Sequence, residues 1–275
     1  MRQITQRSGV ALISALLTVA VATAASASLA VASRIWLRQA ESSIDRAQAD
    51  TFVAGALDWA CETLTAKARR GGADSLGEAW ANPIGPIEIG PGRMRLTITD
   101  AQSLFNLNSL GRAGVRSEGD IATFRRLLLA LRLDVRLADA ATVRVLSAAP
   151  LDVPDDLLAV YGATPAVIER LRPWVTALPE ATAININTAA RELIHAAAPG
   201  LDDDAVTRLL ARRLDKPLED MPDGTDAGLL LGVGSSYFFV RAVGESGRIQ
   251  IVARALVRRP INGQAAYVVW RSDER

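Results

Sequence analysis

The sequence predicts an α+β fold: a long N-terminal helix packed on an antiparallel sheet, with a large all-helical segment inserted between the strands. Residues 10–70 contain no proline and repeat their apolar positions with the period of a helix. One alternating segment near residue 96 and three segments near the C-terminus have the period of β-strands. The early strand needs sheet partners and the last three supply them, so residues 111–232 are predicted to form the insertion.

The first element is an apolar segment, Val10–Ser33, whose 24 residues carry no charge and lie between Arg7 and Arg34. At a rise of about 1.5 Å per residue, a helix of this length reaches about 36 Å and crosses a hydrocarbon core of about 30 Å. We therefore predict that residues 10–33 span a membrane. Because Arg2 and Arg7 precede the segment, the N-terminus is expected on the cytoplasmic side of the inner membrane, with the remainder outside.

Three interpretations of this start are open. A secretory signal would be cleaved after an A-x-A site such as Ala25-Ser26-Ala27. A plain signal anchor would stay uncleaved. A prepilin-like leader, residues 1–9, would be cleaved after Gly9, ahead of the apolar run and before Val10.

The segment that follows favours the third interpretation, because helical spacing continues beyond the apolar run. A signal peptide has no need of an amphipathic helix attached in frame, whereas one helix over residues 10–70 would be about 90 Å long and could join a membrane to a globular head. The stripe is formed by Leu37, Ala40, Ile44 and Ala47, and is extended by Val53, Leu57, Ala60 and Leu64.

The long helix is predicted to end at Gly71-Gly72, since glycine commonly terminates helices. Residues 71–110 then form the first part of the head. Within them, Ala79–Gly92 is rich in proline and glycine and is predicted to be a loop. Met94–Thr99 alternates apolar and polar residues and is predicted to be a strand.

The helical segment contains a weak internal repeat. Asp156–Leu171 and Glu192–Leu209 each have the pattern of a short helix, a glycine-containing hairpin and a second short helix. These are helix–hairpin–helix-like repeats. Asn187 or Thr188 is predicted to cap the helix that begins the second copy.

The last part of the chain, residues 233–275, is predicted to close the head as a β-meander. Strands are expected at Tyr237–Ala242, Arg248–Val257 and Ala266–Arg271. Turns are expected at Gly244–Gly247 and Pro260–Gly263.

Composition excludes several function classes. The single cysteine, Cys61, excludes an intrachain disulfide, and the single histidine, His195, excludes paired-histidine metal sites. The sequence contains no GxSxG or GxxxxGK[ST] motif, so we predict that the chain is not an enzyme. A balance of 31 basic and 30 acidic side chains also argues against a general nucleic-acid binder.

A membrane-anchored helix–hairpin–helix DNA-binding protein is the alternative function, because such hairpins direct backbone amides at phosphate. The second hairpin ends in Asp202-Asp203-Asp204, and three carboxylates there would repel phosphate. No nucleic-acid partner is therefore expected. A soluble protein released by signal peptidase is a further alternative.

The segment Leu218–Gly232 combines four carboxylates with proline and glycine. These carboxylates are hard oxygen ligands that suit calcium, but their spacing matches no EF-hand. A solvated acidic loop is the preferred interpretation and no cofactor is expected, with calcium as the alternative. The carboxylates belong to Glu219, Asp220, Asp223 and Asp226.

Four motifs occur in order along the chain: Gly9-Val10 followed by ALISALL, then Leu76–Ala81 (LGEAWA), then Asp100–Asn108 (DAQSLFNLN), then Leu178-Pro179 with Ile184–Ala189 (ININTA). Together they resemble the general secretion pathway protein K family, the minor pseudopilins of the type II secretion system. The resemblance spans nearly the whole chain.

The resemblance implies a pilin-like head and a role at the tip of the pseudopilus, where the protein would cap or initiate assembly for export of folded proteins across the outer membrane. It implies that prepilin peptidase cuts between Gly9 and Val10 and that Val10 is N-methylated. Ser14 occupies a position that is usually Glu in pilins, which suits a tip subunit. The implied partners are the I and J minor pseudopilins, the major pseudopilin, the inner-membrane secretion platform and prepilin peptidase.

Overall fold

The computed structural model describes residues 4–221, 230–260 and 263–274. The helices are α1 (Ile4–Arg70), α2 (Glu118–Ala130), α3 (Arg136–Ser147), α4 (Pro165–Leu171), α5 (Arg191–Ala197) and α6 (Asp203–Asp215). The strands are β1 (Ile84–Ile89), β2 (Gly92–Asp100), β3 (Phe105–Asn106), β4 (Val175–Thr176), β5 (Ile184–Asn185), β6 (Leu231–Gly232), β7 (Tyr237–Ser246), β8 (Ile249–Arg258) and β9 (Tyr267–Glu274).

Five of the strands form one antiparallel sheet in the order β1-β2-β7-β8-β9. Within this sheet β2 pairs with the central strand β7, so that Asp100 lies opposite Phe238 and Gly92 lies opposite Ser246. The chain between these neighbouring strands contains α2–α6, and we call residues 101–236 the helical part. The predicted α+β arrangement of a long helix, an antiparallel sheet and additional helices is therefore confirmed.

The long helix packs on the sheet through its second half. The apolar positions predicted to extend the stripe are buried, as are Ala49 and Ala56. They pack against the face of the sheet formed by alternate residues of its central strands, such as Leu96 and Val240, because side chains in a strand alternate between two faces. Leu37 and Ile44 belong to the same stripe but are exposed, since the head covers α1 only from about Asp45 onward.

Two glycines allow α1 to lie unusually close to the sheet. A Cβ on Gly244 would lie 2.2 Å from the backbone oxygen of Ala49, and a Cβ on Gly92 would lie 2.3 Å from a ring carbon of Phe52.

The prediction of a turn over Gly244–Gly247 is wrong, since β7 continues to Ser246 and only Gly247-Arg248 connects it to β8. Gly244 is needed for packing, and Gly247 supplies the positive φ of the turn.

A further difference concerns the predicted loop over residues 79–92, where the structure has the edge strand β1. Pro83 and Pro86 lowered its strand signal, but proline is tolerated at sheet edges and bulges. The register of β1 against β2 shifts between Ile84 and Ile87, which marks such an irregularity. The strand predicted at 94–99 is present as β2.

The helical part has its own core, in which Phe105 stacks on Phe124 with ring centroids 5.3 Å apart. It is not purely helical, because β3 pairs with β4 and β5 pairs with β6 in two short parallel ladders. The first predicted helix–hairpin–helix-like copy begins with a 3-10 helix, Pro154–Ala159, followed by α4, and the second consists of α5 and α6. Their identity as helix–hairpin–helix repeats stays a prediction.

We expect Gly244→Ala to lower the free energy of unfolding by about 3 kcal/mol, because the added methyl group overlaps the backbone of α1. Gly55→Ala is the matched control. Gly55 lies on α1, and a Cβ added there would meet no atom within 4 Å, so alanine should stabilise the fold by about 0.5–1 kcal/mol. Urea unfolding of the full chain in detergent micelles measures both. Equal effects of the two substitutions would contradict the close packing of α1 on the sheet.

Candidate functional site

The first half of α1 presents an apolar surface that the head does not cover. In the described part of the chain, α1 is the one helix that is long and apolar enough to span a membrane, and its most apolar window has no buried residue. The segment predicted to span a membrane, residues 10–33, falls within this half. Its large apolar side chains, all more than half exposed, are Val10, Leu12, Ile13, Leu16, Leu17, Val19, Val21, Leu29 and Val31.

Five hydroxyl groups of this segment are satisfied within the helix. Ser14 Oγ donates to the carbonyl oxygen of Val10 at 2.8 Å, and Thr18 Oγ1 donates to that of Ser14 at 2.8 Å. The hydroxyls of Thr23, Ser26 and Ser28 bond in the same way to carbonyls one turn earlier. No partner outside the helix is needed, so these residues are compatible with a lipid environment despite their polarity.

The two residues at the predicted cleavage site lie within the first turns of α1. Gly9 and Val10 are both helical, and the Val10 side chain is exposed. Ser14 follows one turn later and carries no charge, so the pilin position that usually holds Glu here offers only a hydroxyl already bonded to Val10. Cleavage, methylation and the assembly role of Ser14 stay predictions.

The head first contacts α1 through polar groups. Ser246 Oγ lies 2.7 Å from Gln48 Oε1 and 3.3 Å from Asp45 Oδ1, at the end of β7. Arg271 of β9 pairs with Asp50 at 2.5 Å on the other side of the helix. These contacts mark the point at which α1 leaves the head.

The C-terminal end of α1 is fixed by a buried lysine. Lys67 Nζ donates to the carbonyl oxygens of Gly71 at 3.0 Å and Ala73 at 2.9 Å, and pairs with Glu78 at 2.7 Å. The other carboxylate oxygen of Glu78 accepts from Trp80 Nε1 at 2.9 Å and from the Ser75 backbone N–H at 3.1 Å. The Leu76–Ala81 motif thus holds the helix end against the head.

A buried polar network joins the helical part to the sheet. The carboxylate of Asp100, at the end of β2, accepts hydrogen bonds from Asn185 Nδ2 at 2.9 Å, Thr188 Oγ1 at 2.6 Å and Ser235 Oγ at 2.7 Å. It also accepts from the backbone N–H of Gln102 at 2.8 Å. Gln102 and Ser235 lie at the two ends of the helical part, so one side chain holds its two connections to the sheet together.

Asp74 forms the second centre of this network. Its carboxylate pairs with Arg259, with one contact of 2.8 Å, and accepts from the backbone N–H of Ser235 at 2.8 Å. The Arg259 guanidinium also lies over the Phe238 ring, 4.9 Å from its centroid. Because Asn185 donates to the Asp74 backbone oxygen as well as to Asp100, both centres share partners.

Burial raises the pKa of Asp100 above its ordinary value, because the charged form loses its hydration. The hydrogen bonds from Thr188, Ser235, Gln102 and Asn185 oppose this shift by stabilising the carboxylate.

Two Asn-x-Asn pairs fix the helical part in the same way. Asn108 donates to the backbone oxygens of Leu151 at 2.8 Å and Leu178 at 2.9 Å, and accepts from the Leu151 N–H at 2.9 Å. Asn187 donates to the Leu218 oxygen at 3.0 Å and accepts from its N–H at 2.9 Å.

In each pair the side-chain oxygen of the first asparagine accepts a hydrogen bond from the backbone N–H of the second. The distance is 3.1 Å for Asn106 and 3.0 Å for Asn185.

The predicted cap by Asn187 or Thr188 is wrong, because α5 begins at Arg191 after Ala190 and these side chains bond elsewhere. Sequence reasoning did not predict that the two Asn-x-Asn motifs play the same structural role. The shared signal in the sequence is a large apolar residue directly before each motif, Phe105 or Ile184.

The predicted acidic loop is described only in part. Glu219 and Asp220 are described, whereas Asp223 and Asp226 lie outside the described residues. Glu219 accepts a hydrogen bond from the backbone N–H of Ala73 at 3.2 Å, which ties the loop to the end of α1. Among the residues that the structure describes, no group of three His, Cys, Asp or Glu side chains could hold a metal ion. Calcium binding therefore stays an untested alternative.

Comparison with known proteins identifies relatives of this chain. The family model of the type II secretion system (T2SS) protein K matches residues 184–238. The type II secretion system protein K of Pseudomonas aeruginosa is 28% identical over 98% of this chain and 99% of its own length. The protein of the same name from Aeromonas hydrophila is 29% identical over 63% of this chain and 69% of its own length.

A solved structure shares the fold. A chain of the GspK-GspI-GspJ complex from the type 2 secretion system of enterotoxigenic Escherichia coli aligns with a TM-score of 0.65 and 19% identity. The alignment covers 86% of this chain and 99% of that one. The resemblance to the protein K family is thus confirmed by the family model and by the relatives. Together they support a minor pseudopilin role.

We expect Asn108→Ala to lower the free energy of unfolding by about 3 kcal/mol, because it leaves the buried N–H and C=O of Leu151 without a partner. Asn82→Ala is the control, since Asn82 is exposed and makes one long bond of 3.3 Å to Glu78, and its loss should cost less than about 0.5 kcal/mol. Urea unfolding of the full chain in detergent micelles compares them. A small effect at Asn108 would contradict its structural role.

The raised pKa of Asp100 predicts a pH dependence of stability that Asp100→Asn removes. A carboxyl group whose pKa is higher in the folded state stabilises the fold below its unfolded pKa of about 4, and this contribution is lost as pH rises through the folded pKa. The free energy of unfolding of the native chain minus that of the variant should therefore fall as pH rises above about 4. Urea titrations across this range measure the difference, and an increase with pH would mean that the hydrogen bonds outweigh burial.

Proposed function

We propose that this chain is a minor pseudopilin of a type II secretion system, held in the inner membrane by residues 10–33 with its N-terminus in the cytoplasm and its head in the periplasm. The observation that carries the proposal is the continuous helix α1, whose apolar first half is exposed and whose second half is packed into the head. An exposed apolar helix attached to a folded head requires lipid or other helices as its surroundings. In a pseudopilin, lipid surrounds this helix before assembly and other helices surround it after assembly.

We further propose that prepilin peptidase cleaves between Gly9 and Val10 and that Val10 becomes N-methylated. In the mature chain, residues 10–70 form the long helix, residues 71–110 and 233–275 form a pilin-like head, and residues 111–232 form an inserted helical domain. The position of Val10 at the start of the uncharged apolar run supports this processing, because cleavage there leaves the whole run on the mature protein.

Ser14 supports a position at the tip of the pseudopilus. A Glu at this position would place a carboxylate in the apolar segment, where it needs a neighbouring N-terminal amine as partner. Ser14 needs none, because its hydroxyl already bonds to the Val10 oxygen. A subunit without the carboxylate offers no such charge to a subunit beyond it, which suits a role in capping or initiating the assembly.

The proposed partners are the I and J minor pseudopilins, by analogy with the Escherichia coli complex that contains GspK, GspI and GspJ. The major pseudopilin, the inner-membrane secretion platform and prepilin peptidase complete the set. Exposed small residues support helix packing within such an assembly, because alanine and serine allow close approach between helices. The assembly would drive export of folded proteins across the outer membrane.

The alternative of DNA binding is not favoured. Asp202 caps α6 by accepting from the Ala205 N–H at 2.6 Å, and Asp203 and Asp204 occupy its first turn. The amides that could bind phosphate are therefore surrounded by carboxylates, which repel it.

We expect the mature chain, expressed together with prepilin peptidase, to begin at Val10 and to carry one additional methyl group. Gly9→Leu should block this processing, because a prepilin-like leader ends in glycine and leucine adds a bulky side chain at the cleaved bond, whereas Ser8→Ala should leave it intact. Intact-protein mass spectrometry with sequencing of the N-terminal peptide reads all three chains. A mature start after Ala25 or Ala27 would overturn the proposal and identify a secretory signal instead.

A further inference from the structure

A large apolar cleft lies on the side of the sheet that faces away from α1, which we call the outer face. Its volume is about 830 Å³, and it is bounded on one side by the sheet and on the other by residues 149–155 of the helical part. Phe239, Val269 and Trp270 of the sheet and Leu104, Val153 and Ala177 of the helical part line it. Clefts of a few hundred to about 1,000 Å³ are typical of ligand sites, so this one has room for several side chains.

The floor of the cleft is a row of apolar groups across three strands, in which Phe239 and Trp270 are half-buried and Leu256 between them is buried. Phe239 of β7 and Trp270 of β9 both lie opposite Leu256 of β8. The Phe239 and Trp270 rings are tilted by 51° with centroids 6.3 Å apart, which is within the range of a packed aromatic pair. Val269 is 37% exposed next to this pair. Covering such a surface with an apolar side chain is favourable.

The next row on the outer face carries excess positive charge. Arg241 of β7 lies directly opposite Arg254 of β8, and like charges in this position repel each other. Both reach the single carboxylate of Glu274, at 3.2 Å and 3.9 Å. A second carboxylate from a partner would therefore be attracted to this row.

The edge of the sheet beside the cleft is open. β9 is the last strand in the sheet, and in the described ranges no strand pairs with its outer edge. An exposed strand edge presents unpaired backbone groups that an extended peptide can join. A strand added here would place alternate side chains on the outer face, one beside Trp270 and the next beside Ser272, which lies opposite Arg254.

We propose that this cleft and the edge of β9 bind an extended segment of a partner protein that carries an apolar side chain and, two residues away, a carboxylate. The apolar side chain fills the cleft beside Trp270, the carboxylate pairs with Arg254, and the backbone of the segment adds a strand to β9. This surface is separate from α1, so it remains available while α1 is packed against other helices. The proposal extends the proposed function without depending on it.

The probe is a fluorescein-labelled peptide as long as β9, with a central phenylalanine, glutamate at both second-neighbour positions, and threonine elsewhere. It is titrated against the full chain in lipid nanodiscs, because free detergent would compete for the cleft, and binding is read by fluorescence anisotropy. We expect saturable binding, weakened at least tenfold by Val269→Asp and by Arg254→Glu. Replacing the glutamates of the peptide by lysines should weaken it similarly.

Matched controls separate binding from folding. Val143→Asp changes a valine on α3 that is more exposed than Val269, and Arg248→Glu reverses a charge in the turn between β7 and β8; both should bind like the native chain. Peptides N-methylated at alternate amides, in both phases, test strand addition, since one phase should lose binding and the other should keep it. This assay does not involve the N-terminus, so its outcome is distinct from that of the processing experiment.

Equal binding by Val269→Asp and the native chain would overturn the proposal, as would binding that survives N-methylation in both phases or an absence of saturable binding. Light scattering of the native chain in nanodiscs tests whether a second copy is the occupant. A dimer that Val269→Asp dissociates would assign the cleft to self-association and contradict the proposed partner.

Discussion

The close contact between the second half of α1 and the sheet is the constraint on which the rest of the structure depends. It requires small residues on both sides, with Ala49 and Ala56 on the helix and Gly92 and Gly244 on the strands. Because the helix lies so near the sheet, the direction of the helix axis and the rotation of the helix about that axis are both determined. The direction in which the exposed half leaves the head follows from this contact and from the polar groups of Asp45, Gln48 and Ser246.

The helical part is attached to the sheet by hydrogen bonds and by a small apolar cluster, in which Ala101 and Leu178 pack on the sheet residues Tyr237 and Leu256. Its core is separate from the core between α1 and the sheet, and the two meet at the Asp100 network. Burying these groups is favourable only when all of them are paired, so the network also fixes a single arrangement of the two parts. The Lys67–Glu78 pair does the same at the end of α1. A long helix and a bulky insertion can therefore act as one body.

The elements with strong periodicity were predictable from the sequence. Val53, Leu57, Ala60 and Leu64 recur at helical spacing and are buried. Buried and exposed residues alternate along the whole of β2, and the closing meander is present as β7, β8 and β9. β1 was not predictable because its prolines hide an edge strand.

The polar network was also hidden from sequence reasoning. Asn108 and Asn187 bond to backbone groups 43 and 31 residues away, and a backbone group has no sequence signature. The exposed apolar half of α1 was visible as a possible membrane span, and the helical spacing after it predicted the single helix that the structure has from Ile4 to Arg70.

The central claim is that α1 is one rigid helix that joins an exposed apolar segment to the head. Spin labels at Gln39, in the exposed half, and at Glu62, in the packed half, measure this directly by double electron–electron resonance on the full chain in nanodiscs, with Cys61 replaced by serine. Since 23 residues separate the labelled positions (62 − 39), a continuous helix predicts one narrow distance distribution centred at about 35 Å. A broad distribution, or one centred at a much shorter distance, would show a hinge between the two halves and contradict the account.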